Sequence, residues 1–98
     1  MENKLSNPNQ TVFEQIKRLD ENKNEFWTAR DLSKVLEYSE YRHFKPVIEK
    51  AKEACKNSGY QVADHFEDFL CMVSIGSGAE REIEDVKLSR YASYLIVQ

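Results

Sequence analysis

Two strand-length runs face each other across a pair of glycines near the end of the chain: DFLCMVSI, then GSG, then AEREIEDV. The first run is apolar almost without a break, the second is polar and acidic, and the short glycine-rich join is hairpin chemistry. The pair predicts an antiparallel β-hairpin whose first strand is buried and whose second is exposed. A phosphate-cradling loop would need more glycines and a helix directly after them. An acidic strand follows here instead. Because the rest of the chain carries helical periodicity, the hairpin makes the fold class α+β: four helices with a small antiparallel hairpin.

The helices announce themselves by their ends. Thr11–Glu14 reads T-x-x-E, a capping box that opens a helix to about Asn22 with Phe13, Ile16 and Leu19 inward. The polar residues 1–10, MENKLSNPNQ, predict a disordered leader and lack the apolar core of a secretory signal. Turn formers in NKNE lead to a short extended piece at Glu25–Trp27, a candidate third strand. Thr28 is an N-cap for the next helix, and Asp31 is placed to reach back to its free N–H groups. Trp27 and Leu32 hold the staple positions.

After the turn EYSEY, Phe44, Val47, Ile48, Ala51 and Cys55 form one apolar face, with Lys45 and Glu49 opposite as an i,i+4 pair. A proline is comfortable only in a helix's first turn. Pro46 therefore starts this helix near Lys45 and leaves Tyr41–Phe44 as a separate short turn. Gly59 suits its left-handed end. Leu88, Tyr91, Ala92, Leu95 and Ile96 predict a fourth helix with no stop signal after Ile96. The sequence thus reads as one domain, residues 11–98, truncated at its C-terminal end.

The chain has 98 residues, 41% of them hydrophobic and 32% charged, which describes one soluble domain with a modest core. Its net charge of −3 is unevenly spread. Residues 17–58 hold ten Lys/Arg against eight Asp/Glu, whereas residues 59–98 hold three against seven. A surface that meets phosphate belongs in the middle third. No apolar run approaches the ~20 residues of a membrane span, so no membrane partner is expected.

Cys55 and Cys71 lack metal or redox spacing and read as reduced thiols of a cytoplasmic protein, a disulfide being the alternative. His43 and His65 stand apart, so neither metal nor cofactor is expected. Asp64, His65 and Glu67 have no nucleophile beside them, and Asp64-x-x-Glu67 resembles the cap of a short turn. No catalytic residue is assigned, and the chain is not read as an enzyme.

WTARDLSKVLEYSEYRHF has the outline of a helix-turn-helix-like central unit. On that model Tyr41, Arg42, His43 and Lys45 read base edges while Arg30 and Lys34 meet phosphates. Arg81 and Arg90 are cations in an acidic region, accessory to such a site or salt-bridged within the fold. Tight binding commonly uses about 6–10 phosphate contacts. A local excess of two charges falls short of that, and Glu37 and Glu40 stand in the turn. The residues leave two options open, a DNA reader or two helices that pack together.

Three blocks in order, FWTARDLSKVLEYSEYRHFKPVIEKAKEAC, DHF and GSGAEREIEDVKLSRYASYLI, resemble the N-terminal part of the DNA-damage-inducible D family. That family is in turn similar to the Bro-N group of phage antirepressors and viral Bro proteins. The similarity runs from about residue 12 to the end. It implies a bacterial, cytoplasmic, non-enzymatic protein of the SOS response to DNA damage. Its partner would be single- or double-stranded DNA. The rival reading is a protein–protein module whose acidic strand Glu80–Asp85 and final helix dock a recombinase filament or the C-terminal half of the protein, and the final helix could also pair two copies. Two positions depart from the family pattern: Glu37 where glycine is usual, and Ser93 where cysteine is. Members also run well beyond YLIVQ, so a further C-terminal portion is expected in the whole protein.

Overall fold

The computed structural model describes residues 8–97, in which four helices pack on a four-stranded antiparallel sheet. In chain order the elements are α1 (Pro8–Gln15), β1 (Arg18–Leu19), β2 (Glu25–Thr28), α2 (Ala29–Val35), α3 (Lys45–Asn57), β3 (Phe66–Ser74), β4 (Glu80–Leu88) and α4 (Arg90–Val97). Two 3-10 turns, Tyr41–His43 and Val62–Asp64, precede α3 and β3. The expected leader lies outside the described residues over positions 1–7.

The first helix departs from expectation at both ends. Its described extent, Pro8–Gln15, already includes residues ahead of Thr11, and it stops at Gln15. The cause of the early stop is the turn that follows. The Asp20 carboxylate accepts from the backbone N–H groups of Asn22 and Asn24 at 2.8 and 2.9 Å, an Asx turn that closes β1 against β2. Leu19, predicted inward, pairs with Glu25 in this ribbon and is 60% exposed.

The sheet order is β1-β2-β4-β3, so the expected hairpin is only half of it. The extended piece at Glu25–Thr28 does join as a third strand, pairing Trp27 with Leu88, and β1 adds a fourth. Strand β4 therefore lies inside the sheet at its C-terminal end. This corrects the predicted burial. Val86 and Leu88 of β4 and Phe66 of β3 are buried, while Leu70 and Met72, in the apolar run, are more than half exposed. Among the described residues helices cover only the root of the hairpin, and its outer part projects. Leu88, assigned by periodicity to the last helix, ends the strand, and Ser89 starts α4 by accepting from Ala92 N–H at 3.0 Å.

The core gathers at the root, with Trp27, Leu32, Phe44, Leu88 and Cys55 almost fully buried. Phe13 stacks on Trp27 at 4.3 Å, and the Trp27 indole N–H donates to the Phe13 carbonyl at 2.9 Å. Cys55 and Cys71 are both free thiols, the first buried and the second half-buried.

The helix-turn-helix expectation is not confirmed. Helix α2 is seven residues long, and Glu37 ends it at φ +66°. The N–H groups of Glu37 and Tyr38 return to the carbonyls of Lys34 and Ser33, a Schellman ending. The 3-10 turn and Phe44 then intervene, and α3 starts at Lys45 with Pro46 in its first turn, as the proline demanded. Helix α3 closes with the same ending, in which Gly59 (φ +89°) takes the place that Glu37 takes in α2.

Candidate nucleic-acid interface

The N-terminus of α2 is built from near and far. Thr28 Oγ1 accepts from Asp31 N–H at 3.2 Å, the cap read from sequence. The Arg30 N–H is satisfied by Asp85 Oδ1 at 3.0 Å, and the same oxygen accepts from Val86 N–H at 2.8 Å. Asp31 does not reach back to the helix as expected. Arg18 holds its carboxylate through Nε and Nη2 at 3.0 and 2.9 Å.

That anchoring sets Arg30. Its Nε donates to the Glu84 carbonyl at 2.8 Å, and its guanidinium lies 4.1 Å over the Tyr41 ring. Lys45 Nζ pairs with the Glu84 carboxylate. Three of the six expected contact residues, Arg30, Tyr41 and Lys45, are thus assembled around one stretch of β4. The predicted Lys45–Glu49 pair does not form; Glu49 pairs with Lys52 at 3.4 Å.

The electrostatics follow from these contacts. Burial, with Asp85 nearby, pushes the Tyr41 phenol up to about 12. The hydrogen bond and charge of Lys45 hold Glu84 below its ordinary value. Burial raises Asp85, against its two backbone hydrogen bonds and the Arg30 charge.

The other candidates lie apart from this cluster. Arg42 is exposed and pairs with Glu40, Nε to Oε1 at 2.9 Å. His43 and Lys34 are exposed and make no ion pair among the described residues. Arg81 sits on the projecting part of β4 opposite Val73. Arg90 occupies a separate corner, held by Glu25 at 2.7 and 2.8 Å and by Glu14 at 3.2 Å, over the Trp27 ring. Glu25 is held below the ordinary carboxylate range by Arg90, whose guanidinium is shifted up in return.

Sequence alone missed Glu84 and Asp85 as parts of this corner. They lie 54 and 55 residues from Arg30, and no local signal connects them. Among the described residues no cluster of three or more His, Cys, Asp or Glu is arranged to hold a metal ion. No helix among them is long and apolar enough to cross a membrane.

Comparison with known proteins decides the family. The model of the BRO family N-terminal domain matches residues 15–98. The chain belongs to this family. The match bears out the resemblance drawn from the three sequence blocks. This Bro-N chain is also 56% identical over 92 residues to DNA damage-inducible protein D of Escherichia coli (strain K12). The alignment covers 94% of this chain and 34% of that protein, so the Bro-N chain spans about a third of its relative's length. No solved structure matches it.

Proposed function

We propose that this Bro-N domain is a non-enzymatic nucleic-acid-binding module of the cytoplasmic response to DNA damage. Its contact surface combines Arg30 and Lys34 of α2 with Tyr41, Arg42 and His43 of the turn before α3, and Lys45 is positioned behind them by Glu84. The observation that carries the proposal is the Arg30–Tyr41 stack. Arg30 spends only Nε on the fold, and among the described residues its Nη1 and Nη2 make no hydrogen bond. Two free NH2 groups on a guanidinium backed by an aromatic ring suit a phosphate or the face of an unstacked base. Arg42 adds an exposed cation, since an exposed pair such as Arg42–Glu40 is worth little and exchanges readily for phosphate. The DNA-damage connection comes from the relative's name and from family membership.

The test is binding of labelled single- and double-stranded oligonucleotides across an ionic-strength series. Phosphate-driven binding weakens steeply as salt rises. Arg30→Ala and Arg42→Ala should each weaken binding roughly tenfold and lower the salt slope by about one. Absence of binding at low salt for either oligonucleotide rules the proposal out.

A further inference from the structure

The projecting hairpin has one face on which an apolar row lies directly beside an acidic row. Residues paired across two antiparallel strands point to the same side of the sheet. Leu70 pairs with Glu84, Met72 with Glu82 and Ser74 with Glu80. Leu70 is 62% and Met72 56% exposed, and the three glutamates are exposed beside them.

At the inner end this face opens into a cleft of about 440 Å³ between the hairpin and α3, bordered by Lys45, Lys52, Glu49, Asp68, Glu84 and Asp85. Lys45 and Lys52 are each spent on a glutamate of this set. That leaves Asp68 and Asp85 without an ion pair among the described residues. Asp85 points to the opposite side of the sheet from Glu84 and is 5% exposed, engaged by the Arg30 and Val86 amides. Asp68 shares the side of Leu70 and Glu84 and is exposed, which leaves it as the unpaired carboxylate of this face.

From these observations we infer that this face and its cleft dock a basic amphipathic helix of a partner protein, with a lysine or arginine of that helix set against Asp68. The spacing fits. Successive side chains on one face of a strand are about 6.6 Å apart, and i,i+4 side chains on a helix are about 6 Å apart. An apolar stripe flanked by cations would therefore run in step with Leu70–Met72 and with Glu84–Glu82–Glu80. Nucleic acid is the wrong occupant, because the unpaired charge here is negative. Tyr41 and Lys45 border this cleft from the proposed oligonucleotide surface, but the inference is argued from the hairpin's own residues and does not depend on that reading.

The probe is a fluorescein-labelled leucine–lysine peptide of about four helical turns with all leucines on one face. A scrambled peptide of identical composition is the control. Anisotropy titration should give a Kd at least tenfold lower for the patterned peptide. Met72→Ser and Glu82→Lys alter exposed side chains; each should weaken it at least fivefold and leave the thermal midpoint and oligonucleotide binding unchanged. Asp68→Asn keeps the size of this exposed side chain and removes its charge, and should weaken peptide binding at least threefold. Equal affinity for the scrambled peptide overturns the inference, as does indifference to both Met72→Ser and Glu82→Lys. An unchanged Kd for Asp68→Asn removes the anchor. Self-association of the free protein that Met72→Ser abolishes would assign the face to a second copy, and overturns it too.

Discussion

Two guanidinium groups lie on aromatic rings in this domain, and they differ in what else they touch. Arg90 rests over Trp27, which is wholly buried, and gives its donors to Glu25, Glu14 and the Tyr94 hydroxyl. Arg30 rests over Tyr41, which is half-buried, and gives one donor to a backbone carbonyl. Both stacks gain cation–π attraction. Only the first is neutralised by carboxylates that hydrogen-bond it directly. The lesson is that a cation's role is set by its unspent donors, and by that measure Arg90 ties β2 to α4 and α1 whereas Arg30 faces outward with capacity to spare.

The largest expected effect comes from the two platforms. Trp27→Ala should cost about 3–5 kcal/mol in urea denaturation, as removal of a buried large aromatic does, while Tyr41→Ala costs distinctly less. Equal losses would break the comparison. Next come the arginines themselves. Arg90→Met should cost about 1–3 kcal/mol through its charged hydrogen bonds, and Arg30→Met no more than about 1 kcal/mol. A double-mutant cycle with Glu25→Gln should return most of the Arg90 loss as coupling.

A smaller change sharpens the outward corner. Glu37 holds a left-handed backbone that a side chain resists, so Glu37→Gly should raise stability by about 0.5–1 kcal/mol, relief of strain exceeding the entropy that glycine loses. The same substitution removes an acid from the proposed phosphate-facing segment and should tighten oligonucleotide binding severalfold.

The smallest effect distinguishes the corners by sign. Glu25 has a lowered pKa in the fold, so its contribution is present above the ordinary glutamate value and fades as pH falls through the folded one. Asp85 has a raised pKa, so its contribution is present below the ordinary aspartate value and fades as pH rises through the folded one. Between about pH 3 and 6, Glu25→Gln should flatten the acid loss of stability and Asp85→Asn should steepen it. Urea midpoints across that range measure both.

What could be read from the sequence was local. Thr28, Pro46 and Gly59 act through their own backbone and its nearest neighbours, and the structure places them where that chemistry requires. The face of α3 was legible because Phe44, Ile48, Ala51 and Cys55 repeat in step with one helix. Errors arose where distant partners decide. Leu88 keeps the helical period but pairs with Trp27 and Phe66. The run after Phe66 is apolar enough for a core, yet no element among the described residues covers its outer part. Lys45 chose Glu84, 39 residues away, over Glu49 one turn along the helix. Arg30, Tyr41 and Lys45 were individually legible as candidates, by residue type and position. What brings them together, the Glu84–Asp85 stretch of β4, was not.

The two thiols give the domain a built-in clock. Cys55 is sealed in the core, where burial pushes its thiol pKa up, and Cys71 stands half-covered on β3. An alkylating reagent reacts with thiolate that it can reach. Cys71 should label first, and Cys55 only when α3 lifts from the core, so the interval between first and second adduct times the opening of the domain. Mass spectrometry of the unmodified chain would then report, without any introduced label, whether a bound oligonucleotide or peptide keeps the core shut.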